Sequence, residues 1–226
     1  MQHYAIIVAG GSGSRMGGAV PKQFLELAGK PILVHTIEKF LLYSLDIQII
    51  LVLPETDFPR WITLKSSYSL LHSSTLSLLE IVGGDTRFQS VRNGLACVGG
   101  DGLVAIHDAV RPLVSVEVIG RSFASAAEYS SGIVTVPAKD SIRQILGKDK
   151  TVALDRSTLR LVQTPQTFRV SLIKKAFEQP ESPLFTDDAS VAEAAGFPIH
   201  LVEGAYENIK ITTPDDLLVA EALLRR

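Results

Sequence analysis

The sequence predicts an α/β fold: an open, mostly parallel twisted sheet with helices on both faces and a protruding β-arm. Segments rich in β-branched residues alternate with segments whose apolar residues recur at helical spacing. Residues 47–53 are nearly all apolar, which is typical of a strand covered on both faces. Residues 139–161 are polar and show no helical stripe, as expected of a hairpin arm. Repeated β-α units of this kind indicate right-handed crossovers and a Rossmann-like sheet.

The predicted elements follow one another along the whole chain. Strands are predicted at the apolar segments 4–9, 47–53, 76–82, 102–107, 133–136 and 161–168. Helices are predicted to begin at Pro31, after the N-cap candidates Asp85 and Ser115, near Ser171 and Thr186, and at Thr213-Pro214. No repeat or linker divides the chain. We therefore expect one domain over residues 1–226, with the arm at about 139–161.

Composition excludes several classes of protein. The 226 residues carry 22 Lys and Arg against 24 Asp and Glu, and a net charge of −2 argues against a general nucleic-acid binder. No stretch approaches the roughly 18 consecutive apolar residues of a membrane-spanning helix, so no membrane partner is expected. The single cysteine rules out an internal disulfide or a Cys-based zinc site. Because Met1–Tyr4 also lacks a basic signal region, we expect a cytoplasmic chain that begins at its first strand.

A glycine-rich loop follows the first strand and holds five glycines between residues 10 and 18. Its spacing does not match the dinucleotide pattern GxGxxG, the P-loop or the nucleophile elbow. Glycines allow backbone N–H groups to turn inward around an anion. Arg15 and Lys22 would add two cations, so the loop suits a polyphosphate. The alternative is a flexible loop with solvated cations.

Six ordered segments resemble the sugar-phosphate cytidylyltransferases, and together they span nearly the whole chain. They are residues 9–17 with Pro21-Lys22-Gln23-Phe24, residues 83–91, His107-Asp108-Ala109-Val110-Arg111-Pro112, Asp155-Arg156-Ser157, residues 163–166 with 186–189, and residues 207–212. The family resemblance implies transfer of CMP from CTP, with release of pyrophosphate. The implied acceptor is 2-C-methyl-D-erythritol 4-phosphate, an intermediate of non-mevalonate isoprenoid synthesis.

The resemblance also implies the roles of particular residues. It places the catalytic cations at Arg15, Lys22, Arg156 and Lys210, and the nucleotide at Ala9, Gly10, Gly11, Ser12, Gly13, Gly84, Asp85, Ser90 and Asp108. The polyol phosphate is assigned to Asp108, Arg111, Ser141, Arg156, Thr164 and Lys210. Mg²⁺ is expected on the CTP phosphates, with no protein metal ligand. The arm is expected to cross to a second subunit, giving a homodimer with shared active sites.

Several alternatives stay open at this point. Ribitol-5-phosphate is another acceptor that many of the same segments would fit. A nicotinamide-dependent dehydrogenase or an inactive regulatory module is a more distant alternative. For single residues, Asp85 could act only as a helix cap, Asp108 and Arg111 could form an ion pair, and Arg156 and Lys210 could be ordinary surface cations.

Overall fold

The computed structural model describes residues 1–10, 20–72 and 76–225. Its strands are β1 (His3–Val8), β2 (Glu26–Leu27), β3 (Lys30–Pro31), β4 (Gln48–Leu53), β5 (Leu78–Val82), β6 (Leu103–Asp108), β7 (Ser131–Pro137), β8 (Ile142–Gly147), β9 (Lys150–Leu154), β10 (Arg160–Arg169) and β11 (Leu201–Glu203). Its α-helices are α1 (Ile32–Tyr43), α2 (Phe58–Ser66), α3 (Arg87–Ala96), α4 (Val116–Tyr129), α5 (Val170–Ala176), α6 (Asp188–Ala194) and α7 (Pro214–Leu224). In the described ranges, none of these helices is both long and apolar enough to cross a membrane.

The central sheet is mostly parallel, as predicted. Among the described residues, seven strands join in the order β11-β7-β10-β6-β1-β4-β5. Every neighbouring pair is parallel except those of β10, which pairs antiparallel with both β6 and β7. The strand β10 therefore runs against its six companions and separates the two parallel groups.

Helices cover both faces of the sheet, and the strand period of two assigns side chains to each face. In β1, Ala5 and Ile7 belong to a core shared with α1, α2 and α4, while Tyr4 and Ile6 belong to a core shared with α3, α5 and α6. The strand β4 divides its residues in the same way. Burial on both faces explains the nearly continuous apolar sequence of this strand.

The predicted arm is a two-stranded antiparallel hairpin formed by β8 and β9, which pair only with each other among the described strands. Every residue of β9 is exposed, as is every residue of β8 after Ile142. Ile145 and Leu146 are 77% and 51% exposed. The arm thus presents apolar side chains to solvent in the single chain.

Three local predictions need correction. The segment 76–82 repeats the apolar pattern of residues 47–53, which predicts a strand covered on both faces, but β5 is an edge strand in which Leu79 and Val82 are each 47% exposed. Asp85 is not an N-cap, because the Thr86 side chain accepts the Gln89 N–H and caps α3. Pro31 precedes α1 as its N-cap residue rather than lying in its first turn.

Gly132 allows β7 to approach α4 closely, which generates a stability prediction. A Cβ at Gly132 would lie 2.3 Å from the carbonyl oxygen of Ser122, whereas one at Gly120 within α4 would lie 3.7 Å from its nearest neighbour, Tyr43 Cε2. We expect Gly132→Ala to lower the free energy of unfolding in urea by about 2 kcal/mol through overpacking. The control Gly120→Ala should raise it by about 0.5–1 kcal/mol, since alanine favours helix. Equal effects of the two substitutions would contradict this packing.

Candidate active site

A cleft of about 620 Å³ lies at the carboxyl ends of β1, β4, β5 and β6. Ligands bind at this edge of open parallel sheets. The cleft is lined by residues 8–10 at the end of β1, residues 21–23, residues 52–54 with Thr56 and Asp57, residues 83–87 and Ser90, and Asp108, Val110 and Lys210. Segments far apart in sequence thus meet in one depression of the surface.

A short 3₁₀ turn, Lys22–Phe24, brings Lys22 to the cleft. The next residue, Gln23, is buried and fixes this turn: its Nε2 donates to the Ala9 carbonyl at 2.9 Å and to Asp57 Oδ2 at 2.7 Å. Burial raises the pKa of Asp57, and the hydrogen bond from Gln23 opposes that rise. The position of Lys22 is therefore set by contacts of the next residue to the segments that follow β1 and β4.

The turn after β5 forms another wall of the cleft. Ser90 is buried, and its Oγ accepts the Gly84 N–H at 3.1 Å. A Cβ at Gly84 would lie 2.3 Å from Cβ of Gln89, so this close turn requires glycine. Asp85 is exposed, and its N–H donates to Gln89 Oε1. Two side chains of α3, Gln89 and Ser90, thus hold the turn at Gly84 and Asp85 against the start of that helix.

Asp108, at the end of β6, lies among three cations. Its Oδ2 is 2.9 Å from Lys210 Nζ and 3.4 Å from Arg111 Nε, and its Oδ1 is 3.6 Å from Arg87 Nε. Burial alone would raise the pKa of Asp108, but the charges of Arg87, Lys210 and Arg111 hold it well below its ordinary value. The carboxylate is consequently ionised at neutral pH.

Arg87 has a second carboxylate partner. Its Nη1 and Nη2 donate to Oδ1 and Oδ2 of Asp188 at 2.8 and 2.7 Å, a bidentate pair between the starts of α3 and α6. The Asp188 side chain is completely buried, whereas the Arg87 side chain is 32% exposed. Burial would lower the pKa of Arg87, but Asp188 and Asp108 raise it, so the guanidinium stays charged.

A buried polar network lies behind Asp108. The Thr164 hydroxyl accepts the Asp108 N–H at 3.1 Å and contacts His107 Nδ1 at 3.1 Å. The Arg111 carbonyl, 3.2 Å from His107 Nε2, can only accept a hydrogen bond, so we assign the ring proton to Nε2; the unprotonated Nδ1 then accepts the Thr164 hydroxyl proton. Burial lowers the pKa of His107 to about 4, consistent with this neutral tautomer.

Asn208 connects the C-terminal segment to the same network. It is buried, and its Nδ2 donates to the Thr164 carbonyl at 2.8 Å. The backbone carbonyl of Asn208 accepts a hydrogen bond from Arg111 Nη1 at 2.8 Å. These contacts position the segment that carries Lys210.

The cleft suits a phosphate-bearing anion. Lys22, Arg87 and Lys210 approach it from three different segments, and backbone around Gly84 adds polar groups. Within the described ranges, no three His, Cys, Asp or Glu side chains are grouped to hold a metal ion. The buried cleft carboxylate of Asp108 is already engaged by cations.

The chain is similar along its whole length to one group of enzymes. Residues 3–226 match the family model described as IspD, 2-C-methyl-D-erythritol 4-phosphate cytidylyltransferase. The chain belongs to the 2-C-methyl-D-erythritol 4-phosphate cytidylyltransferase family. A relative of that name from Bacteroides thetaiotaomicron is 48% identical, with 99% of this chain and 100% of the relative covered. One from Bacteroides fragilis is 50% identical, with 97% and 98% covered.

Solved structures extend the similarity to the fold. The crystal structure of 2-C-methyl-D-erythritol 4-phosphate cytidylyltransferase from Thermus thermophilus has a TM-score of 0.79 and 30% identity, with both chains fully covered. The structure of 4-diphosphocytidyl-2C-methyl-D-erythritol synthase from Anaerococcus prevotii has a TM-score of 0.83 and 28% identity, covering 100% of this chain and 96% of that one. The predicted Rossmann-like fold and family resemblance are confirmed.

The structure brings most of the predicted cytidylyltransferase residues together. The cleft is lined by Ala9, Gly10, Lys22, Gly84, Asp85, Ser90, Asp108 and Lys210. Arg111 and Thr164 contact Asp108 from behind. The Asp108–Arg111 ion pair considered as an alternative is also present. The predictions for Gly11, Ser12, Gly13 and Arg15 lie outside the described residues.

Ser141 and Arg156 are not among the residues that line the cleft of their own chain. Ser141 is exposed just before β8, and Arg156 is exposed after β9, where its Nη1 donates to the Lys139 carbonyl. Their assignment to the polyol phosphate stays a prediction that depends on a second subunit.

Two residues were not identified from the sequence: Arg87, which lines the cleft, and its partner Asp188. Both residues stand inside segments that carried the resemblance, but they are 101 positions apart. The sequence predicts that Asp187 and Asp188 together cap a helix start and complement its dipole, and in the structure Asp187 is the N-cap of α6 and Asp188 its first residue. No local pattern in the sequence indicates that Arg87 and Asp188 pair.

His107 generates a prediction on pH and stability. Its pKa is about 4 in the folded chain against an ordinary value of 6.5, so the unfolded chain binds its proton first as pH falls. This group favours folding fully above pH 6.5 and loses about 3 kcal/mol of that contribution by pH 4. We expect urea unfolding of His107→Gln to depend less steeply on pH between 6.5 and 4 than the parent chain. Parallel pH profiles would contradict a buried neutral imidazole.

Proposed function

We infer that this chain transfers CMP from CTP to 2-C-methyl-D-erythritol 4-phosphate, giving 4-diphosphocytidyl-2-C-methyl-D-erythritol and pyrophosphate. The observation that carries this function is the convergence of Lys22, Arg87 and Lys210 on one cleft that also holds the Gly84 turn. Family membership over residues 3–226 selects this reaction over a dehydrogenase and favours the erythritol over the ribitol phosphate.

The reaction needs charge stabilisation more than covalent catalysis. An oxygen of the acceptor phosphate attacks the α-phosphorus of CTP, and the bond to the bridging oxygen of pyrophosphate breaks. The acceptor phosphate is already ionised near neutral pH, so no protein nucleophile is required. Two anions must meet, and cations fixed in place before the reaction lower this barrier without reorganising. Lys22 and Lys210, with Arg15 from the glycine loop, are assigned to this task.

The nucleotide is assigned to the side of the cleft formed by Ala9, Gly10 and the turn at Gly84 and Asp85. Cytosine offers one amino donor and two acceptors, which backbone groups of a fixed turn can distinguish from uracil. The Ser90 hydroxyl already accepts the Gly84 N–H and so holds this turn in shape. Asp108, beside Lys210, is assigned to the ribose and the polyol, whose hydroxyl groups can donate to its carboxylate.

Mg²⁺ fits this donor set as a companion of the nucleotide. The ion usually keeps several waters and binds one or two carboxylates together with substrate phosphates. Asp57, Asp85 and Asp108 line the cleft, but Asp108 is engaged by three cations, so the CTP phosphates are expected to be the main ligands. When bound, Mg²⁺ supplies charge neutralisation at the phosphates.

A cytoplasmic homodimer with shared active sites completes the proposal, and the arm supports the dimer. Isolated two-stranded hairpins are marginally stable in water. The arm exposes Ile145, Leu146 and Val152, apolar side chains that a second copy would cover. Arg156 and Ser141 are carried by the same segment, so an arm that crosses to a second copy could bring both to the other subunit's polyol phosphate.

Pyrophosphate release with CTP and each of the two polyol phosphates tests the function. We expect turnover with 2-C-methyl-D-erythritol 4-phosphate and at least about a hundredfold lower kcat/KM with ribitol 5-phosphate, because hydrogen-bonding sites discriminate strongly between polyols. The product should be identified by mass. Preference for the ribitol compound would overturn the acceptor assignment.

Lys22→Ala is expected to lower turnover by about 10²- to 10³-fold, the effect of removing one fixed donor to a developing charge. Thermal unfolding should show an intact fold. Lys175→Ala removes an equal charge from an exposed position on α5 and serves as the matched control, with unchanged turnover. Near-normal activity of the Lys22 variant would refute its catalytic assignment.

Mixing two inactive variants tests whether sites are shared. Lys22→Ala and Arg156→Ala chains, unfolded together and refolded, should form mixed dimers in which one site holds both intact residues. A substantial fraction of parent activity is expected in the mixture, against almost none for each variant alone. Failure of mixed dimers, verified by mass, to recover activity would place each complete site within one chain.

A further inference from the structure

We propose that Arg87 is a positioning residue for cytidylyl transfer: anchored on Asp188, it holds the Asp108 carboxylate in the orientation that faces Lys210. The proposal rests on the function proposed above. It assigns to Arg87 a role that goes beyond closing an ion pair between two helices.

The anchor of Arg87 is rigid. Both terminal nitrogens of the guanidinium are used by Asp188, which is buried at the first residue of α6. That helix start is itself fixed to β10, since Gln166 Oε1 accepts the Ala189 N–H at 2.8 Å and Gln166 Nε2 donates to Asp187 Oδ2 at 2.9 Å. The planar fork of arginine pairs with a carboxylate in one geometry. The direction of Arg87 Nε is therefore determined by the sheet.

Arg87 contacts one carboxylate oxygen of Asp108, and the other oxygen is contacted by different cations. Its Nε is 3.6 Å from Oδ1, whereas Oδ2 is contacted by Lys210 and Arg111. Cations at both oxygens oppose rotation of the carboxylate about its Cβ–Cγ bond. A lysine at position 87 has a single ammonium, which cannot reproduce the bidentate pair and the third contact together. Arg87→Lys thus keeps the charge and removes the orientation.

A double-mutant cycle with Arg87→Lys and Asp108→Asn separates positioning from simple structural support. If Arg87 acts through Asp108, each single change lowers kcat/KM for the polyol phosphate by about 10- to 100-fold, and Arg87→Lys costs less than about threefold when Asp108 is already asparagine. Arg92→Lys, the same chemical change at an exposed position of α3, is the control and should leave kcat/KM unchanged.

Two further measurements keep the outcome decisive. Calorimetric affinity for CTP, measured over the same cycle, requires no turnover and so tests the proposal even if the assigned transfer reaction failed. Thermal unfolding of each variant reports loss of folded protein. Effects of the two changes that simply multiply, in kcat/KM and in CTP affinity, would overturn the proposal. Activity losses that match the unfolded fraction would overturn it as well.

Discussion

The burial of the Asp108 carboxylate is the electrostatic constraint around which the cleft is arranged. An ionised carboxylate at the end of a buried strand is costly unless opposite charges and hydrogen bonds compensate for the lost water. The compensation comes from three segments, because Arg87 begins α3, Arg111 follows β6, and Lys210 lies before α7. Removing any one of them would leave the carboxylate less well compensated. The same interactions therefore stabilise the fold and fix the cations that the proposed reaction uses.

The reversed strand β10 makes this arrangement possible. Because it lies between β6 and β7, Thr164 comes beside the end of β6, where its hydroxyl meets the Asp108 N–H and the His107 ring. The neighbouring Gln163 side chain donates to the Ala205 carbonyl at 2.8 Å, and the Asn208 side chain donates to the Thr164 carbonyl. One strand thus ties the C-terminal segment to the active-site edge. It also follows the arm directly in sequence, so the same strand connects the arm to the segment that carries Lys210.

The sequence predicted elements whose signals are local and could not predict pairings between distant segments. Apolar strands and capped helices such as α4 and α7 were predicted nearly to the residue, because the apolar spacing and the capping residue both lie within a few consecutive positions. No helix was predicted between residues 54 and 75, because α2 has only nine residues and its core contacts are limited to the buried Trp61 and the partly buried Phe58 and Leu64. The Trp61 indole donates to Glu80 on β5 at 3.0 Å, a contact across 19 residues. Strand order and the Arg87–Asp188 pair are long-range in the same sense.

Charge balance explains how a chain of net charge −2 can offer a site for two polyanions. Around Asp108, the three cations Arg87, Arg111 and Lys210 and the two carboxylates Asp108 and Asp188 have a net charge of +1. The carboxylates therefore offset most of the repulsion among the three cations. The carboxylates keep the cations ordered before any ligand arrives. An arriving phosphate then meets donors that are already oriented, and little reorganisation accompanies the build-up of charge at the reacting phosphorus. A cleft of cations alone would attract phosphate more strongly but would hold its side chains less firmly, and firm placement is what the reaction needs.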